Sequence, residues 1–187
     1  MNRFIHSSAF LFLIAILTGC SICKNQQALD NLVPIQIALT SSKAYCGGAK
    51  PTLEILEKNQ QKTSYPFAKI ILHEGDKNLW QSTGYIMLQA DSLGVINTQL
   101  KEGTYAIVFE DKKDTIAFEK LKSGILNSPH FTGFTEDCLI RYFDQPDAIL
   151  EVNKTSKRNF EMNKVIRCYW NGYPCARYTG KLPPGIR

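Results

Sequence analysis

The chain has 187 residues, 44% of them hydrophobic and 21% charged, with a formal net charge of +5 at pH 7. That length suits one domain with a substantial core and is marginal for two. Past the first twenty residues no apolar stretch approaches the roughly 20 residues that a membrane-spanning helix needs, which argues against a polytopic membrane protein.

The opening run, MNRFIHSSAFLFLIAILTGC, carries one cation at Arg3, an apolar stretch from Ala9 to Leu17, and then Thr18-Gly19-Cys20. A short positive region, an apolar core of roughly 7–15 residues and small residues at the cut are the parts of a secretory signal. Leu17-Thr18-Gly19-Cys20 resembles the bacterial lipobox, which implies a signal peptide over residues 1–19 and lipid on Cys20. Acyl chains contribute about 0.8 kcal/mol per buried CH₂, and stable anchoring takes more than one chain. Ser21 follows the cysteine where inner-membrane lipoproteins carry aspartate. By the sorting rules of such proteins, this points to the outer membrane, facing the periplasm. Residues 20–33 read as a polar tether, and residues 34–187 as a single domain.

Pro34 to Thr40 alternates loosely and is expected as a first strand. Tyr45-Cys46-Gly47-Gly48-Ala49-Lys50 reads as a turn, and Pro51 suits the start of a helix. That helix is predicted over residues 51–61, with Glu54 and Lys58 paired at i,i+4 and with Leu53 and Leu56 facing inward. From Pro66 the pattern turns to β: Phe67–His73, Gly84–Gln89, Gly94–Leu100, Thr104–Glu110 and Thr115–Glu119 are apolar-rich runs between turn residues. Asp137–Phe143, Ala148–Val152 and Phe160–Trp170 read as further strands. Regular short strands of this kind point to a sandwich or barrel. The close, Gly180 to Arg187, reads as an irregular C-terminal extension.

Six cysteines occur. With Cys20 lipidated an odd number remains, and Cys23, in the tether, is the one left over. Cys46, Cys138, Cys168 and Cys175 are expected as disulfides in an oxidising compartment. In Cys168-Tyr-Trp-Asn-Gly-Tyr-Pro-Cys175, Asn171-Gly172 is a strong type I′ hairpin signal. Counting outward pairs Cys168 with Cys175 at a hydrogen-bonded site, where Cα atoms lie roughly 5.5 Å apart, within disulfide range. Cys46–Cys138 then follows by elimination. None of the four has the C-x₂₋₄-C spacing of structural zinc, so no metal is expected.

In Asp91-Ser-Leu-Gly94-Val-Ile-Asn-Thr-Gln-Leu100-Lys-Glu-Gly103-Thr-Tyr105, Asp91 and Gly94 build a tight turn and Leu100 points to a core. Gly103 turns the chain again, and Tyr105 restarts the alternation with Ile107 and Phe109. The stretch Phe67–Glu119 resembles the D-x-x-G…L-x-x-G-x-Y pattern of carboxypeptidase regulatory-like and related prealbumin-like domains. The whole chain resembles uncharacterised lipoproteins of the Bacteroidota type. The resemblance implies a mainly β fold, a seven-stranded antiparallel sandwich without catalytic activity. The short N-terminal helix and a disulfide-closed C-terminal hairpin would be additions to it.

Chemistry-bearing motifs are few. His73 in His-Glu-Gly-Asp reads as a solvated turn residue at a strand end, and His130, after Ser128-Pro129, as a loop residue. Neither belongs to an H-x-x-x-H or H-E-x-x-H pattern. There is no G-x-S-x-G elbow and no phosphate loop, so neither an enzyme nor a cofactor is expected. Tyr169, Trp170 and Tyr173, flanked by Arg167 and Arg177, form the candidate binding surface, with Trp170 and Tyr173 expected on one hairpin face and Tyr169 on the other. The basic excess after residue 152 reads as a solvated face, and export makes nucleic acid an improbable partner. The expected role is a lipid-anchored envelope protein that binds or supports a protein partner. A glycan-binding lipoprotein using the aromatic hairpin is the alternative, and an envelope enzyme of unknown type the third reading.

Overall fold

The computed structural model describes residues 32–47, 50–155 and 158–182. The signal peptide, Cys20, Cys23 and the tether up to residue 31 lie outside the described residues. In chain order the elements are β1 (Leu32–Lys43), α1 (Leu53–Gln60), β2 (Thr63–Ser64), β3 (Lys69–Glu74), β4 (Ile86–Gln89), β5 (Val95–Lys101) and β6 (Gly103–Phe109). A 3₁₀ turn (Glu110–Lys112) leads to α2 (Thr115–Leu126), β7 (Phe131–Thr132), α3 (Glu136–Asp144), β8 (Ala148–Val152), β9 (Asn159–Ile166), α4 (Tyr169–Gly172) and β10 (Arg177–Tyr178). The fold is mainly β.

Eight strands form two sheets of four. In one, β1 carries β9 along one side and β5 followed by β2 along the other. The second runs β4-β3-β6-β8, antiparallel throughout. Strand β1 alternates as a half-buried strand should: Val33, Ile35, Ile37 and Leu39 point inward. They meet Ile70 and Leu72 of β3, Tyr105, Ile107 and Phe109 of β6, and Leu150 and Val152 of β8 in a single core. One pairing departs from the antiparallel expectation, because β1 and β9 run parallel from Gln36↔Asn159 to Lys43↔Ile166.

The turn motif is built as the sequence suggests. Asp91 Oδ1 accepts from the amides of Leu93 and Val95, both at 2.8 Å. Gly94 has φ +78°, and a Cβ there would lie 2.7 Å from the Leu39 carbonyl oxygen, so the turn requires glycine. Leu100 is buried, and the Tyr105 hydroxyl donates to the Lys101 carbonyl at 3.1 Å. Burial and the nearby Glu74 raise the Tyr105 pKa.

Two predicted strands are helices. Residues Thr115–Glu119 open α2, because Asp114 caps the helix by accepting from the Ala117 amide at 2.8 Å. Phe118, Leu121 and Ile125 then recur at helical spacing, with Phe118 and Ile125 fully buried. Residues Asp137–Phe143 lie in α3, where Leu139 and Phe143 stack at i,i+4. In both places a short apolar window fits either period, and burial against a neighbour decides.

In the second sheet β3 and β6 are buried on both faces: Ile71, His73, Ala106 and Val108 are as inaccessible as the core residues opposite. Tyr85, from the loop after β3, lies edge-on to His73 at 5.9 Å. In the same loop Asn78 donates to the carbonyls of Lys112 (2.9 Å) and Phe143 (2.7 Å). Trp80 donates to Asp144 at 2.9 Å and stacks on Phe118 at 4.7 Å. Trp80, Phe118, Leu139 and Phe143 thus form a second core. Beside it Lys112 is buried, donating to the Gln145 carbonyl and lying 3.2 Å from Asp147. The other Asp147 oxygen accepts from the Phe109 amide at 2.9 Å.

Helix α1 forms close to its predicted span, with Thr52 as its cap, but it buries nothing. Leu53, expected inward, is 72% exposed.

Candidate functional site

The C-terminal cysteine segment does not form a hairpin. Asn171-Gly172 ends one helical turn, with the Asn171 amide donating to the Cys168 carbonyl at 3.1 Å. The disulfides are Cys46–Cys168 and Cys138–Cys175, so all four cysteines pair but neither expected partner is right. The parallel β1–β9 ladder is the reason. It carries Lys43 and Ile166 out side by side, which delivers Cys46 and Cys168, a few residues further on, to the same place. Cys175 instead reaches helix α3.

The expected faces of the hairpin change with it. On one helical turn, Tyr169 and Tyr173 come to the same side, with ring centroids 6.2 Å apart. Both pack edge-on against Phe131, at 5.5 and 4.8 Å, and Tyr178 of β10 closes the group. Tyr169 keeps about half its surface in water, Trp170 and Tyr173 are half-buried, and Arg167 and Arg177 are exposed. Tyr169 and Tyr173 are therefore partly engaged with each other, Phe131 and Tyr178, and among the described residues Trp170 takes no part in the group.

The histidines separate. His130 is exposed, whereas His73 is wholly buried, contrary to the solvated turn expected of it. Among the described residues neither ring nitrogen of His73 has a hydrogen-bond partner, and burial lowers its pKa below the usual 6.5. The Tyr142 phenol beside Lys112 is pushed up to about 12, chiefly by burial and also by Asp111 and Asp147. Among the described residues, no group of three or more His, Cys, Asp or Glu side chains could hold a metal ion. No helix of the described residues is long and apolar enough to cross a membrane.

A concavity lies elsewhere, an open groove of about 760 Å³ between the segment entering β3, the 3₁₀ turn and the start of α2. Its apolar lining includes Tyr65, Phe67, Phe109, Ile116, Leu121 and Tyr173. Tyr173 is thus the one predicted binding residue that reaches it. Charged side chains line it too. Glu110 lies 3.6 Å from Lys69 and 3.5 Å from Lys113, which is 3.7 Å from Asp114. Lys164 binds both oxygens of Asp111, at 2.7 and 2.6 Å, and lies over the Phe109 ring at 4.7 Å.

Phe67 stands out at the rim. Its φ is +57°, and its side chain is 62% exposed. The left-handed region costs a residue with a Cβ about 1–2 kcal/mol, and exposure forfeits most of what burying the ring would contribute. Backbone and side chain both argue against phenylalanine here. Cys175, with φ +63°, shares the conformation but is tied by a disulfide. Phe67 is tied only by hydrogen bonds, its amide to the Asp91 carbonyl at 3.2 Å and its carbonyl to Gln89 at 3.3 Å. Phe67 follows Pro66 in a turn, where a positive φ at the second central residue is one of the standard geometries.

Sequence reasoning missed this groove. The charge cluster Glu110-Asp-Lys-Lys-Asp114 was its only visible trace, and nothing in the sequence marks Phe67 as left-handed. No protein-family model, curated protein or solved structure matches the chain.

Proposed function

We propose that this is a non-catalytic lipoprotein, anchored by lipid on Cys20 to the outer membrane on its periplasmic side, that binds a protein partner through the groove. The observation that carries the reading is Phe67, an exposed aromatic held in a conformation that disfavours it, at the mouth of an open cleft. Exposed aromatics in shallow grooves are the anchors on which protein interfaces depend.

We read the two sheets as a prealbumin-like sandwich of the carboxypeptidase regulatory-like kind. The Asp91–Gly94 turn and the Tyr105 hydroxyl bond back to Lys101 support this, as does the core shared by the two sheets. The parallel β9 and the helical layer would be elaborations of that plan. A non-catalytic role is favoured because the groove lacks histidine, cysteine and serine, and its carboxylates are engaged by lysines. Glycan binding has less support, since Tyr169 and Tyr173 meet edge-on and pack against Phe131 rather than presenting ring faces side by side.

The test is fractionation of the source cells expressing the wild-type chain or Cys20→Ala, followed by isolation of bound proteins. The wild type should float with outer membrane and carry one stoichiometric protein, and Cys20→Ala should leave the membrane while still binding it. A wild type found in the soluble fraction, or with no bound protein, contradicts the reading.

A further inference from the structure

We infer that the occupant of the groove is an acidic segment of the partner protein bearing large apolar side chains; this rests on the reading above and specifies the partner's chemistry. Charge comes first. The groove holds four ammonium groups, Lys69, Lys113, Lys120 and Lys164, against three carboxylates, Glu110, Asp111 and Asp114. Glu110 and Asp114 are shared by Lys69 and Lys113, and Asp111 is taken by Lys164. Lys120, exposed on α2, has no ion pair among the described residues. One positive charge is left over at the open edge of the cleft, where an incoming carboxylate would meet it.

Shape comes next. The lining presents Phe67 at 62% and Ile116 at 76% exposure, so an occupant that only matched charge would leave both in water. An extended segment with a carboxylate toward Lys120 and an aliphatic or aromatic side chain against Phe67 and Ile116 meets both needs. Interfaces divide labour in this way, with buried apolar anchors giving affinity and rim charges giving steering and register.

The groove mouth is set apart from the point where the chain enters the domain. The chain enters the domain at Leu32, which pairs with Lys101, while Ala38 pairs with Val95 at the other end of the ladder. At about 3.4 Å per residue, that ladder separates the two ends by roughly 20 Å. Phe67 is bonded to Asp91, whose side chain also caps Val95, so the groove mouth lies at the end away from Leu32.

To test this, a photo-crosslinking amino acid is placed at Ile116 of the full-length lipidated protein in its source cells, and the crosslinked peptide is sequenced. The expected adduct is a protein segment of net negative charge with at least one large apolar residue. A synthetic peptide of that segment should bind the purified domain, weaken at least tenfold on Lys120→Glu, and bind Lys120→Arg as it binds the wild type. A neutral or basic segment, or unchanged binding to Lys120→Glu, overturns the acidic-segment inference and leaves the protein-partner reading standing. A lipid or glycan adduct, or no protein adduct, overturns both.

Discussion

His73→Leu should make the protein more stable, and the gain should grow as the solution is acidified. His73 sits near the C-terminal end of β3 with no accessible surface, facing the edge of Tyr85, and neither ring nitrogen is bonded among the described residues. An unpaired buried polar group costs about 1–3 kcal/mol, and a hydrophobic replacement of similar size usually costs under about 1.5 kcal/mol in repacking. At pH 8 the variant should therefore gain about 1 kcal/mol. The folded-state pKa is lowered by burial, so the unfolded chain takes up a proton near pH 6.5 that the folded chain refuses. Stability is then lost as pH falls from the unfolded value toward the folded one, by up to about 1.4 kcal/mol per pH unit. Urea unfolding of both proteins from pH 8 to 5 isolates the term as a difference, free of every group they share. The difference should be flat above about pH 7.5 and rise below pH 6.5. A difference that stays flat, or shrinks on acidification, would mean that His73 is protonated in the fold and the burial argument is wrong.

Non-reducing peptide mapping should recover Cys46 with Cys168 and Cys138 with Cys175; a Cys168–Cys175 peptide would contradict the parallel β1–β9 arrangement. By loop entropy, with separations of 122 and 37 residues, serine replacement of the first pair should cost about 4.9 kcal/mol and of the second about 3.8 kcal/mol, readable by denaturant unfolding. Asp147→Ala removes the carboxylate beside the buried Lys112 ammonium, and should cost about 3–5 kcal/mol. Lys112→Met, which removes the charge itself, should cost clearly less than Asp147→Ala, and equal costs would argue that the pair is not coupled.

The strands around Asp91–Gly94, Leu100, Gly103 and Tyr105 were legible because local chemistry dictates them: a side-chain-capped turn, a glycine at positive φ and an alternating apolar face. Helix α1 was legible from its cap and ion-pair spacing, although the burial of Leu53 was not. Helices α2 and α3 were read as strands because five-residue and seven-residue apolar windows carry too little period to separate the two. The Asp114 cap and the longer run Phe118, Leu121, Ile125 were the signals to weigh. The cysteine partners were misread because Asn171-Gly172 argues only about neighbours in sequence, while the pairing follows from β9 lying parallel to β1 across more than a hundred residues. Burial of His73 likewise depends on a second layer that no local pattern announces. The groove combines segments from four parts of the chain, and Phe67 acquires its meaning from a backbone angle that phenylalanine does not signal.

Phe67→Gly separates binding from folding most directly. Glycine relieves the left-handed backbone, worth about 1–2 kcal/mol, and gives up the minor buried share of a ring that is 62% exposed, worth about 1 kcal/mol at most. The unfolding free energy should change by no more than about 1 kcal/mol, while affinity for the partner captured from the envelope falls at least tenfold. An unchanged affinity would mean that the groove is not the binding surface, and a loss of several kcal/mol in stability would mean that Phe67 serves the fold.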